Sequence, residues 1–155
     1  MMMNKILILV LSLVIIVNIY SEEIKTISPD NSIVILFKLN EKGEPLYSIS
    51  YNGTRFLNWS SLGLNFKGSG MLNSGLKLTS IGRNIIDETF MIYSGKSKYS
   101  RNYCNETMVS LEEKKAPSRK IDIYFRAYND GAAFRYGIPE QLNINSFELS
   151  AEETS

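Results

Sequence analysis

Apolar and polar residues alternate with period two through most of this chain. No window combines a 3.6-residue apolar spacing with the end caps of an amphipathic helix. The clearest alternation runs through residues 120–141. Ile121, Ile123, Phe125 and Ala127 fall on one face, with Asp122, Tyr124, Arg126 and Tyr128 on the other. Beyond Asn129-Asp130-Gly131, the residues Ala132, Phe134, Tyr136 and Ile138 line up opposite Ala133, Arg135 and Gly137. Each arm reads as a half-buried strand. Asp-Gly between two such arms predicts a tight hairpin whose centre takes positive φ.

The other segments read the same way. Ser28-Pro29-Asp30-Asn31 predicts a turn, and residues 33–39 a strand apolar enough to be covered on both faces. Asn40-Glu41-Lys42-Gly43 closes a hairpin into 46–51. There Tyr47, Ile49 and Tyr51 alternate with Ser48, Ser50 and Asn52, a one-face pattern. Asn52-Gly53 turns the chain into 54–59, and 61–66 is a short alternating piece. The Gly- and Ser-rich 67–75 reads as loop. Residues 76–93 predict a long strand with a bend or bulge, from Gly82 and the β-branched content. A polar connection is expected at 96–102, a strand at 103–111, a charged turn with Pro117 at 112–119, and a further strand begun at 147–153. Many short strands joined by Gly, Asn and Pro turns predict an all-β antiparallel sandwich or barrel.

The N-terminus breaks this pattern. Lys5 precedes an almost uninterrupted aliphatic run at 6–17, and Asn18-Ile19-Tyr20-Ser21 leads into two glutamates. A short positive region, an apolar run of about twelve and a small residue before charge describe a secretory signal peptide. Residues 1–21 are assigned to it and 22–155 to one β domain. A membrane span wants about twenty apolar residues, so no stable span is expected. The alternative is an uncleaved N-terminal anchor, because Ile19 is bulky for a cleavage site. Export to the periplasm or the exterior is the expectation, with membrane anchoring as its alternative.

Removing 1–21 takes away Lys5 and no acid, so 17 basic residues become 16 against 16 acids. Neutral charge without a basic cluster argues against nucleic acid as a partner. The chain contains no histidine, which excludes Ser-His-Asp and Cys-His machinery and His-ligated zinc. Cys104 is the single cysteine and reads as a buried, inert thiol. The sequons at Asn52, Asn58 and Asn105 carry no weight in an Asn/Ser-rich chain. Glu112-Glu113 before Lys114-Lys115 reads as solvated charge, Asp130 as a turn residue, and Asp87-Glu88 as strand neighbours on opposite faces. None suggests the carboxyl pair about 5 to 9.5 Å apart that glycoside hydrolysis needs. Sugars stack their C–H faces on aromatic rings and hydrogen-bond at the rims. Trp59, Tyr47, Tyr51, Tyr124, Tyr128 and Tyr136 are available for that. The carbohydrate-contact candidates are Trp59, Tyr124, Arg126, Tyr128 and Arg135. For Arg126 and Arg135 the competing reading is an ion pair within the domain, with Asp122 or another acid.

Several runs in order carry a resemblance. They are Ser28-Pro29-Asp30, the run from Gly43 to Gly53, Ser61-Leu62-Gly63-Leu64, Gly95-Lys96-Ser97, Tyr103 with Asn105-Glu106, Asn129-Asp130-Gly131-Ala132-Ala133-Phe134-Arg135-Tyr136, and the closing Glu152-Glu153-Thr154. Together they span nearly all of 28–154, and the chain resembles the N-terminal domain of glycoside hydrolase family 97. The resemblance implies an antiparallel β-super-sandwich related to galactose mutarotase-like folds, here incomplete. It also implies an exported enzyme family that hydrolyses α-glucosides or α-galactosides on a (β/α) barrel and uses calcium. A barrel needs about 250 residues, so no catalytic or metal-binding residue is carried onto this chain and no cofactor is assignable in it. The expected role is a non-catalytic carbohydrate-binding and barrel-packing domain, present as a fragment without its catalytic part. The alternatives are a stand-alone exported carbohydrate-binding sandwich and a membrane-tethered interaction protein. A sandwich cut partway would leave a sheet edge unpaired and should self-associate.

Overall fold

The structure, a computed structural model, describes residues 23–93, 97–142, 144 and 146–155. The expected signal peptide and its apolar run lie outside these residues, as do Gly95 and Lys96 of the resemblance. The described residues form eleven strands: β1 Ile24–Ile27, β2 Ile33–Leu39, β3 Pro45–Tyr51, β4 Thr54–Ser61, β5 Leu64–Phe66, β6 Gly70–Leu72, β7 Leu76–Met91, β8 Tyr99–Glu113, β9 Lys120–Ala127, β10 Ala132–Gly137 and β11 Leu149–Glu152. No helix occurs among them. One sheet runs β1-β2-β3-β4, a second β10-β9-β8-β7 and a third β11-β5-β6, all with antiparallel neighbours.

The core lies between the two four-stranded sheets. Ile24, Ile33, Ile35, Phe37 and Tyr47 come from the first sheet, and Val109, Leu111, Ile121, Ile123, Phe125 and Ala127 from the second. The Phe37 and Phe125 rings meet at 5.5 Å between centroids, and Tyr47 and Phe134 at 5.3 Å. Leu62, Leu64, Phe66, Leu72 and Leu76 extend this core under the third sheet. Each buries apolar surface at roughly 25 cal/mol per Å².

The β9–β10 pairing follows the alternation residue for residue. Phe125 faces Phe134, Tyr124 faces Arg135, and Arg126 faces Ala133. The turn differs from expectation. Tyr128 N–H donates to the Gly131 carbonyl at 2.8 Å, so Asn129 and Asp130 form its centre. Neither of them nor Gly131 has positive φ. Asn52-Gly53 does form the expected turn, with φ of 48° and 78°. Gly43 closes its hairpin at φ 72°.

Other expectations are corrected by packing. The strand β2 is buried on one face only; Val34, Leu36 and Lys38 are half-buried. The one-face pattern of β3 fails at Ser48, which is fully buried with no hydrogen-bond partner for its hydroxyl among the described residues, while Tyr51 is exposed. The 67–75 loop contains β6, because Leu72 pairs with Leu64 and is buried. The long β7 has its irregularity between Leu78 and Ser80 rather than at Gly82. The neighbouring β8 begins at Tyr99 and extends to Glu113, taking in most of the expected polar connection and the start of the expected charged turn. The sequence reading missed β1 altogether, a four-residue strand ahead of the first turn.

Candidate functional site

Four of the five sequence-derived carbohydrate candidates fall on one surface, the outer face of the β10-β9-β8-β7 sheet. Even-numbered residues of β8 and β9 point away from the core there. Arg126 pairs with Glu106 across the sheet at 2.7 Å, and both side chains are mostly covered. That hydrogen bond, with one to Tyr128, raises the Arg126 guanidinium above its ordinary range. The acid that binds it is Glu106, not Asp122. Arg135 stacks over the Tyr124 ring at 3.6 Å to the centroid, so one face of that ring is taken by a cation. Tyr128 donates its hydroxyl proton to Asn102 Oδ1 at 3.0 Å. Burial and a contact with Cys104 push the Tyr128 phenol up. Cys104 itself is fully buried.

Trp59 is not with them. It lies on the outer side of the other sheet, with Lys38 Nζ 4.0 Å from its ring centroid and the Arg55 guanidinium at 5.6 Å. Tyr47 is core, and Tyr136 is largely buried. The Tyr136 hydroxyl accepts the Gly63 N–H at 3.0 Å and bonds Thr154 Oγ1 at 3.1 Å; burial raises its phenol.

The acids divide between neighbours. Asp87 takes a bidentate pair from Arg101 at 2.7 and 2.8 Å, and Lys67 reaches Glu148 at 2.9 Å. Asp30 accepts from the Ser28 and Ser32 hydroxyls and the Ser32 N–H within its turn. Glu113 is the clearest departure from sequence reasoning. It is enclosed with Arg119, not solvated, their side chains 14% and 6% exposed. Arg119 Nε and Nη2 reach its two carboxylate oxygens at 3.0 and 2.6 Å. Asp30, Asp87 and Glu113 are all held below the usual carboxylate range. Ser28 leads for Asp30 and Arg101 for Asp87. For Glu113, burial pushes upward and is outweighed by the bonds from Arg119. A general acid for glycoside cleavage needs the opposite shift.

One concave surface has open aromatic rings. A cleft of about 550 Å³ is bounded by Ile33, Ile49, Tyr51 and Phe56 on one side and by the β9–β10 turn with Asn129 and Asp130 on the other. Ile49 pairs with Leu57 and Ser50 with Arg55, which leaves Phe56 as an extra residue in β4. A bulge re-aims its side chain, and Phe56 stands 83% exposed with Tyr51 at 54%. Asn129 Oδ1 accepts the Asp30 N–H at 3.1 Å, tying the two turns together across the mouth. Sequence reasoning listed Tyr51 among available rings and missed Phe56. An aromatic beside Arg55 in an apparently regular strand gives no sign of a bulge.

The fold is thus an antiparallel β-sandwich with an open cleft lined by Tyr51 and Phe56 and with its shifted acids locked to partners. The chain belongs to the family described as Glycosyl-hydrolase 97 N-terminal, which matches residues 27–155. Among solved structures it is similar to a glycoside hydrolase family 97 enzyme from Pseudoalteromonas sp. strain K8, E480Q form, in complex with panose. The identity is 26% and the TM-score 0.78, covering 84% of this chain and 20% of that one. The same enzyme in complex with acarbose matches equally. A beta-arabinopyranosidase matches at 28% identity and TM-score 0.77, covering 86% of this chain and 21% of its own. The chain spans about a fifth of the length of these structures.

Proposed function

We propose that this chain serves as the non-catalytic N-terminal β-sandwich of an exported α-glycoside hydrolase, packing on a (β/α) catalytic barrel and contributing a carbohydrate-contact surface. The observation that carries it is the family match over 27–155, joined to structural likeness with enzymes about four times its length. The partnered, down-shifted carboxyls support a non-catalytic role. Panose and acarbose complexes of a relative support an oligosaccharide as the ligand class. Calcium use is proposed for the full-length enzyme. Among the described residues no group of three or more Asp, Glu or Cys converges on one point. Export rests on the 1–21 segment.

The Tyr51–Phe56 cleft fits sugar contact better than Trp59 or Tyr124, whose rings are already approached by cations. Two rings on an apolar floor offer stacking, and Asn129 and Asp130 offer polar partners at the rim. Titration of the chain with panose or acarbose, followed by amide chemical shifts, tests it. Shifts should cluster at Tyr51, Phe56 and Asn129, and Phe56→Ala should weaken binding about tenfold, the worth of one stacked ring. Absent binding, or shifts centred on Trp59 or Tyr124, would remove the cleft from the proposal.

A further inference from the structure

The edge strand β7 has a property that the sandwich itself does not use. It ends the order β10-β9-β8-β7, so one side of a sixteen-residue strand faces no neighbouring strand among the described residues. Natural edges are blunted by lysine, proline, bulges or short length. Here the bulge near Thr79 lies at one end, and residues 80–91 run regularly against β8 with neither lysine nor proline. Ile85 is 67% exposed on this stretch. Arg83 is exposed and has no ion pair among the described residues. Beside the edge lies a cleft of about 570 Å³ lined by Lys25, Ile27, Arg83, Ile85, Asn105 and Glu106.

We infer that β7 is a self-complementary docking edge for a second copy of this chain, joined antiparallel about a two-fold axis through Ile85. In a continuous antiparallel sheet, residues directly opposite share a face. A two-fold pairing therefore places each odd-numbered residue against another odd-numbered one. Centring it on Arg83 sets like guanidinium groups face to face, and centring it on Asp87 does the same with carboxylates. Centring it on Ile85 sets Arg83 against Asp87 of the second copy, twice by symmetry, with the two Ile85 side chains in contact between them. Ile81 then faces Thr89. Asp87 already takes two bonds from Arg101, and a carboxylate has lone pairs to accept a further guanidinium. The apolar contact at Ile85 continues into the Ile27 side of the cleft. The isologous geometry closes on itself, so it yields a dimer rather than a filament.

The test is sedimentation equilibrium on protein purified from expression of the full chain. A dimer is expected, weakened about tenfold by Arg83→Asp or by Asp87→Arg and restored when both are combined, because attraction becomes repulsion at two symmetric pairs and then attraction again. Disulfide trapping gives a second, independent readout. Ile85→Cys should form a covalent dimer on mild oxidation. Thr89→Cys should not, its copies standing about 27 Å apart at eight residues of strand rise. Buried Cys104 should stay silent in both. A monomer, polydisperse aggregates indifferent to these charges, or equal trapping at positions 85 and 89 would overturn the inference. A monomer would leave the edge for a strand supplied by another polypeptide segment.

Discussion

Arg119 ties three parts of the molecule together. Its guanidinium donates to Glu113 and to the carbonyls of Ser69 and Met71 at 2.9 and 2.8 Å, and it lies 5.6 Å from the centre of the Phe66 ring. It thereby clamps the β5–β6 hairpin to the end of β8. Removing one member of a buried pair strands the other, so Arg119→Met should lower unfolding free energy by about 3 kcal/mol in urea denaturation. The acid dependence has a definite sign. Glu113 has a folded-state pKa below its ordinary 4.5, so its contribution is present above that value and is lost as pH falls through the depressed one. Wild-type stability should therefore fall more steeply than that of Arg119→Met below about pH 4.5. An equal slope in the two proteins would show that the pair is not set by this linkage.

At the level of elements, Gly43 shows how two strands constrain a turn. Its φ of +72° suits glycine, and a Cβ there would sit 2.5 Å from the Leu76 carbonyl oxygen and 2.6 Å from the Leu76 nitrogen. Leu76 N–H donates to the Gly43 carbonyl, so the β2–β3 hairpin of one sheet holds the start of β7 in another. Gly53 has φ of +78° but open space around it. Gly53→Ala should lose only the left-handed penalty, about 1 kcal/mol, whereas Gly43→Ala should lose at least about 2 kcal/mol and shift the Leu76 amide resonance. Similar losses at the two positions would mean that the Leu76 approach is not fixed in solution. The β4 bulges work in the other direction. They free Phe56 from the pleat and keep Trp59 close to Lys38, which makes one strand the source of two different surfaces.

For the whole molecule, the proposed role implies that the chain alone does not turn over substrate. Aryl α-glucosides and α-galactosides should remain intact with or without calcium, at protein concentrations where a full-length family enzyme would be saturating. Calcium-dependent hydrolysis that co-purifies with the chain would refute that role. Much of the architecture was already legible in the residues. Period-two alternation in 120–141, Asn52-Gly53 and Gly43 dictated strands and turns, because backbone sterics and side-chain direction are local properties. The ordered motifs between Ser28 and Thr154 dictated the family. What tertiary structure alone decided depends on residues far apart in sequence. Glu113 is mostly covered because Arg119, itself held by the Ser69 and Met71 carbonyls, pairs with it, although Lys114 and Lys115 beside it suggested solvent. Leu72 made a strand out of a Gly-rich segment by pairing with Leu64. The candidate sugar cleft needed a bulge at Phe56 and a turn across the sandwich to bring Asn129 beside it. Local alternation says that a side chain leaves the pleat on one face or the other; only the meeting of two sheets determines what that face touches.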